Sequence, residues 1–148
     1  MKIRAVLFED DRWARSMLER LLGRRGYEVF AFPHPGLCPL SHSSQCLVAC
    51  ADILVSDVDM PVTSGLEFVE RQLRRGCKVK NIALMSGAWS PEEIERARQL
   101  GCRTFEKPLD FTELNRWLDE CEQRVDPGRS LLAWPIPREP GAGATAWA

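Results

Sequence analysis

The chain has 148 residues, 45% of them apolar, which is enough for one domain with a proper core and cramped for two. Its 20 lysines and arginines against 21 aspartates and glutamates leave a formal net charge of −1, so no overall positive field attracts nucleic acid or an anionic membrane. The opening "MKIRAVLFEDD" carries only a short apolar run, interrupted by Arg4 and followed by acid, which suits neither a secretory leader nor a membrane span and points to the cytoplasm.

In chain order, "IRAVLFE" (3–9) reads as a first strand, and "ARSMLERLLGRRG" (14–26) as a helix with Met17, Leu18, Leu21 and Leu22 on its apolar face. "YEVFAF" (27–32) is a second strand. Residues 33–50, "PHPGLCPLSHSSQCLVAC", are rich in proline and serine, so the next crossover is expected to be mostly irregular. "DILVSD" (52–57) is a third strand, followed by the helix "GLEFVERQLRRG" (65–76), where Gly65 serves the preceding turn. "NIALMS" (81–86) is a fourth strand. "SPEEIERARQLG" (90–101) opens as a helix with Ser90 as N-cap, Pro91 in the first turn and Glu93 as the capping-box acid. "RTFEK" (103–107) is the fifth strand, and "DFTELNRWLDECEQR" (110–124) closes with Asp110 and Glu113 in the same capping relation and Trp117 facing the core. This alternation implies an α/β fold, a doubly wound parallel sheet with helices on both faces.

In such a sheet, ligands bind at the edge where the strands run out into their following loops. There the strands deliver Glu9 and Asp10, then Asp57, then Ser86, then Lys107 with Pro108 behind it; Asp11 and Asp59 follow closely on the acids. Three carboxylates in one poorly solvated crevice repel one another by several kcal/mol and call for a cation. A small all-oxygen set suits Mg²⁺, which keeps waters and accepts phosphate oxygens. Asp57, ending a buried strand, is then a nucleophile that phosphorus can approach in line.

The ordered set "FEDD", "SDVDMPVTSG", "LMSGA" and "EKP" resembles the receiver domain of bacterial two-component response regulators, over residues 1 to about 124. The resemblance implies a flavodoxin-like five-stranded sheet of order 2-1-3-4-5 and a phosphoacceptor switch rather than an enzyme. It implies Asp57 as acceptor, Glu9 and Asp10 as the acidic pair, Asp59 binding Mg²⁺ through its backbone carbonyl, Ser86 as switch hydroxyl and Lys107 as phosphate-binding lysine. Ala88 falls on a position that sets phosphoryl lifetime in the family. The implied partners are a sensor histidine kinase or histidine phosphotransfer protein and a downstream protein target, with no direct nucleic-acid or membrane contact. The aromatic switch position falls on Thr104 counted back from Lys107, and on Phe105 matched by type.

Two other readings differ in class. A haloacid dehalogenase-like phosphatase also uses an aspartyl nucleophile after an apolar strand, but places its further metal-binding acids after the lysine, whereas Glu9 and Asp10 come first here. A degenerate receiver acting only as an interaction module would lack a chemical residue, and none is missing.

Residues 125–148 read as a Pro-, Gly- and Ala-rich tail, with no output domain expected; Leu131, Leu132 and Trp134 could dock on the domain, the preferred expectation, or on a partner. Six cysteines lack any C-x-x-C pair and are expected to be thiols. Cys50, Cys77 and Cys102 each precede a strand, which puts them at the edge opposite Asp57, with Cys121 able to join them and Cys38 and Cys46 in the irregular crossover. Such a set serves either as small packing residues or as a thiolate site for zinc or iron–sulfur, or a redox-sensitive staple.

Overall fold

The computed structural model describes residues 1–38 and 48–133. Five strands, β1 (Arg4–Phe8), β2 (Glu28–Phe32), β3 (Ile53–Asp57), β4 (Asn81–Ser86) and β5 (Arg103–Glu106), form one parallel sheet in the order β2-β1-β3-β4-β5. Among the described residues three α-helices connect strands, α1 (Arg12–Arg24), α2 (Gly65–Arg74) and α3 (Pro91–Gln99), and a fourth, α4 (Phe111–Arg124), follows β5. The expected elements are all present, with ends shifted by a residue or two.

Strand periodicity sorts the core into two layers. Ala5, Leu7, Ile53, Val55, Ala83, Met85 and Phe105 pack under α1 and α4, against Leu18, Leu22, Leu114, Trp117 and Leu118. The alternate residues Val6, Phe8, Leu54, Ile82 and Leu84 pack under α2 and α3, against Leu66, Phe68, Val69 and Ala97. Trp117 is in the core as expected, its ring meeting Phe105 edge-on at 5.8 Å. Met17 is not: it is 52% exposed, and on α1 only Leu18 and Leu22 are fully covered.

Capping explains where the helices begin. Asp11, Ser64, Ser90 and Asp110 each turn a side-chain oxygen onto a first-turn N–H. The capping box at Ser90 and Glu93 is complete. At α4 it is half formed, because Glu113 turns away to Arg103 at 2.8 Å.

The crossover after β2 begins with a short 3₁₀ turn, Pro35–Leu37. At the far end of the chain, Leu131 bridges to Ala49, and the Leu132 N–H donates to the Ala49 carbonyl at 2.8 Å. Leu131 and Leu132 thus lie on the body, as expected; Trp134 and Trp147 lie outside the described residues. Arg129 secures this strap by donating to both oxygens of buried Asp52, at 2.8 and 2.6 Å, and Arg4 donates to the Leu132 carbonyl at 2.7 Å.

The described cysteines do not gather as one cluster. Cys121 packs under α1 and α4, whereas Cys38, Cys50, Cys77 and Cys102 belong to the layer under α2 and α3, so the sheet stands between them. Burial pushes the Cys102 and Cys121 thiols up to about 11, which keeps them protonated packing groups. Cys38, Cys50 and Cys77 line one apolar cavity of about 50 Å³ together with Phe8, Phe68 and Leu132. Among the described residues no set of three thiols approaches metal-binding distance. Cys46 lies outside the described residues.

Candidate functional site

The C-terminal ends of β1, β3, β4 and β5 bring together the residues expected there. Glu9 and Asp57 are 0% and 1% exposed, although both are acids, and Ser86 is 2% exposed. Asp10 sits beside them at the surface. One carboxylate oxygen from each of Glu9, Asp10 and Asp57 lies within 4.8 Å of the others. Lys107 enters from β5. Its Nζ donates to Glu9 Oε1 and Oε2 at 3.2 and 3.0 Å and forms a close ion pair with Asp57 Oδ1. Asp11, next in the acidic run, is absorbed in capping α1 through the Ala14 N–H at 2.9 Å. Asp59 is exposed beyond the turn.

The backbone around Asp57 is held on every side. The Val58 N–H donates to the Met85 carbonyl and the Gly65 N–H to the Val58 carbonyl, both at 2.8 Å, while the Ser56 hydroxyl donates to the Asp57 carbonyl at 2.9 Å. A Cβ at Gly65 would lie 2.0 Å from the Asp57 carbonyl oxygen, so the glycine is demanded by close approach as well as by the turn. Arg15 donates to the Glu9 carbonyl at 2.9 Å and anchors the acidic pair.

Against this rigid frame, the Asp57 carboxylate is conspicuously unsatisfied: neither oxygen has a well-directed hydrogen-bond donor among the described residues, and Lys107 contacts it only as an ion pair. Burial first, then the neighbouring Glu9, push its pKa up to about 8, against the lowering effect of Lys107. Burial pulls the Lys107 ammonium down, but Asp57 and Glu9 outweigh it and hold the group above its usual range. A pair of buried acids sharing one cation is short of positive charge. The donor set is oxygen-only, and beyond the Lys107 ion pair neither Asp57 oxygen has a hydrogen-bond partner among the described residues, which fits a small hard divalent cation such as Mg²⁺.

A family model described as the response regulator receiver domain matches residues 5–119. The chain belongs to this family. No curated protein matches it in sequence. Among solved structures, the receiver resembles the chemotaxis response regulator CheY4 of Vibrio cholerae (24% identity, TM-score 0.66, 82% of this chain and 99% of that one). It also resembles a response regulator receiver protein of Pseudomonas putida (20%, TM-score 0.70, 81% and 98%) and the non-phosphorylated HemR receiver domain of Leptospira biflexa (20%, TM-score 0.70, 85% and 98%). At these identities the likeness speaks for the fold.

The two candidates for the aromatic switch position separate by face. Phe105 is 2% exposed and fixed in the layer under α1 and α4. Thr104, partly exposed and in register with Leu84, projects to the opposite face. Residue type alone thus points to a core phenylalanine. Sequence reasoning missed Arg15, legible only as a basic residue in the first turn of α1, and Trp89, whose indole reaches from the loop after Ser86 to β5.

Proposed function

We propose that this receiver accepts a phosphoryl group on Asp57 in a Mg²⁺-dependent reaction and passes the signal on through protein partners in a two-component phosphorelay. The observation that carries this reading is the Asp57 carboxylate, buried, unsatisfied and at the focus of two further acids and an amine.

Burial and the neighbouring Glu9 favour the protonated form of Asp57 against the pull of Lys107, and a protonated carboxyl is a poor nucleophile. Glu9, Asp10, Asp57 and the Asp59 carbonyl would hold a divalent cation, which would supply positive charge that favours the carboxylate and offsets the charge of the incoming phosphoryl oxygens. One Asp57 oxygen attacks phosphorus, the bond from phosphorus to the donor's nitrogen or oxygen breaks, and the donor leaves with that electron pair. Lys107, now pairing with Asp57 and Glu9, turns to a phosphoryl oxygen, and the Ser86 hydroxyl donates to another. In the unphosphorylated state the Ser86 oxygen accepts the Ala88 N–H at 3.1 Å, so its proton is available for donation.

The donor is a sensor histidine kinase or a histidine phosphotransfer protein. Beside the acid cluster, Trp13 is 81% exposed, Met17 52% and Phe111 40%, an apolar patch rimmed by Arg20 and Arg24 that suits a partner's amphipathic surface. Among the described residues no helix is long and apolar enough to cross a membrane. Incubation with Mg²⁺ and acetyl phosphate, followed by intact mass, should show one added phosphoryl group; a mass unchanged under conditions that phosphorylate another receiver would remove the reading.

A further inference from the structure

Trp89 stands three residues beyond Ser86, in the loop that leads β4 into α3. It is half-buried, packed against the apolar layer under α2 and α3. A tryptophan in such a position needs an acceptor for its one polar atom. Here the indole Nε1–H donates to the Phe105 carbonyl at 2.9 Å.

That bond closes a ring. Phe105 is clamped in the opposite layer by Trp117 and stands two residues before Lys107. The Lys107 N–H donates to the Ser86 carbonyl at 2.9 Å, and the Ser86 side-chain oxygen accepts the Ala88 N–H at 3.1 Å. One path therefore runs along the chain from Ser86 to Trp89, crosses the indole bond to Phe105, continues to Lys107 and returns to Ser86. The two residues that face the phosphoryl group lie on one small hydrogen-bonded circuit, and the indole is its only side-chain link between the loop and β5 among the bonds described. Gly87 and Ala88, both small and exposed, give the loop little else to hold it.

We propose that Trp89 is a positioning residue for phosphoryl capture: its bond to the Phe105 carbonyl fixes the end of β5 against the loop after β4, and so sets where the Lys107 ammonium and the Ser86 hydroxyl stand relative to Asp57. This role rests on the acceptor reading of Asp57 for its consequence in catalysis, but the coupling between Trp89 and Lys107 exists in the resting protein. Movement of Lys107 off the acids must then be felt at the indole.

Trp89→Phe keeps the ring and removes the donor. With Mg²⁺ and acetyl phosphate its phosphorylation should slow about 3- to 10-fold, the factor that one net hydrogen bond corresponds to. A merely structural tryptophan would not produce the accompanying signature. In protein carrying ¹⁵N-labelled tryptophan, the Trp89 indole N–H resonance, identified by its loss in Trp89→Phe, should shift when Mg²⁺ and beryllofluoride are added as a phosphoryl mimic. It should also shift in Lys107→Ala with no ligand present. That last measurement involves no phosphoryl chemistry, so it separates the two readings: wild type that takes no phosphoryl group removes the acceptor reading, while an indole resonance unmoved by Lys107→Ala overturns the positioning role. Equal phosphorylation rates in a folded Trp89→Phe and the wild type overturn it as well.

Discussion

Two aspartates at the two ends of β3 are buried almost equally and treated oppositely. Asp52, 7% exposed, accepts from the Arg4 backbone N–H and from Nε and Nη2 of Arg129. Asp57, 1% exposed, has no well-directed donor at all among the described residues. A buried carboxylate costs stability unless hydrogen bonds and charge replace its water. At Asp52 the fold supplies the replacement from its own chain, and the residue becomes a fastening. At Asp57 it supplies only the Lys107 ammonium, shared with Glu9, and no well-directed hydrogen-bond donor among the described residues.

The largest contrast is chemical. Asp57→Asn should abolish phosphorylation by acetyl phosphate as read by intact mass, whereas Arg129→Ala, which disturbs the fastening at the other end, should leave the stoichiometry of the folded protein unchanged. A phosphoryl group retained by Asp57→Asn would erase the distinction.

Next comes stability against pH, measured with chelator present. Because the folded pKa of Asp57, about 8, lies above its unfolded value of 3.8, the proton favours the native state. The carboxyl is therefore least harmful below pH 4, and the wild type loses stability as pH rises from there toward and through 8. Asp57→Asn carries no such proton. Its advantage in chemical denaturation should be near zero at pH 4 and grow to a few kcal/mol at pH 9. A constant difference across that range would mean that Asp57 is not strained by its burial.

Arg129→Ala tests the fastening and should cost about 2 kcal/mol. This lies below the usual cost of stranding a buried charge, because the Arg129 side chain is 20% exposed and Asp52 keeps the Arg4 N–H. Denaturant midpoints at equal m-value would measure it; a change within error would show that water serves Asp52 as well as arginine does.

The smallest effect concerns the rim. Val62, 95% exposed, holds φ at +78°, a left-handed backbone that a β-branched side chain tolerates poorly. Val62→Gly should gain up to about 1 kcal/mol, after glycine's greater chain entropy is offset. A loss would show that the loop after Asp57 derives support from the valine methyls.

These contrasts also show what could be read before any coordinates. The strands and the chemistry at their ends were legible, because buried parallel strands must be apolar runs and an acid or lysine ending one stands out against that background. Glu9, Asp57, Ser86 and Lys107 were visible for this reason. Asp52 was not, since an acid beginning a strand looks the same whether it is solvated or bonded to an arginine 77 positions away. Trp89 escaped notice because its significance lies in one N–H reaching another strand. The cysteines misled in part: their strand-start spacing predicts height along the sheet but says nothing of which face of the sheet a helical thiol such as Cys121 will occupy.

The strap that ends at Leu132 also bears on modular recombination. Receivers are natural cassettes, and the end of α4 at Arg124 looks like the place to cut. A seam there would strip Arg129 from Asp52 and Leu132 from the lining of the apolar cavity. For anyone joining this receiver to another domain, a seam placed after Leu132 keeps those contacts.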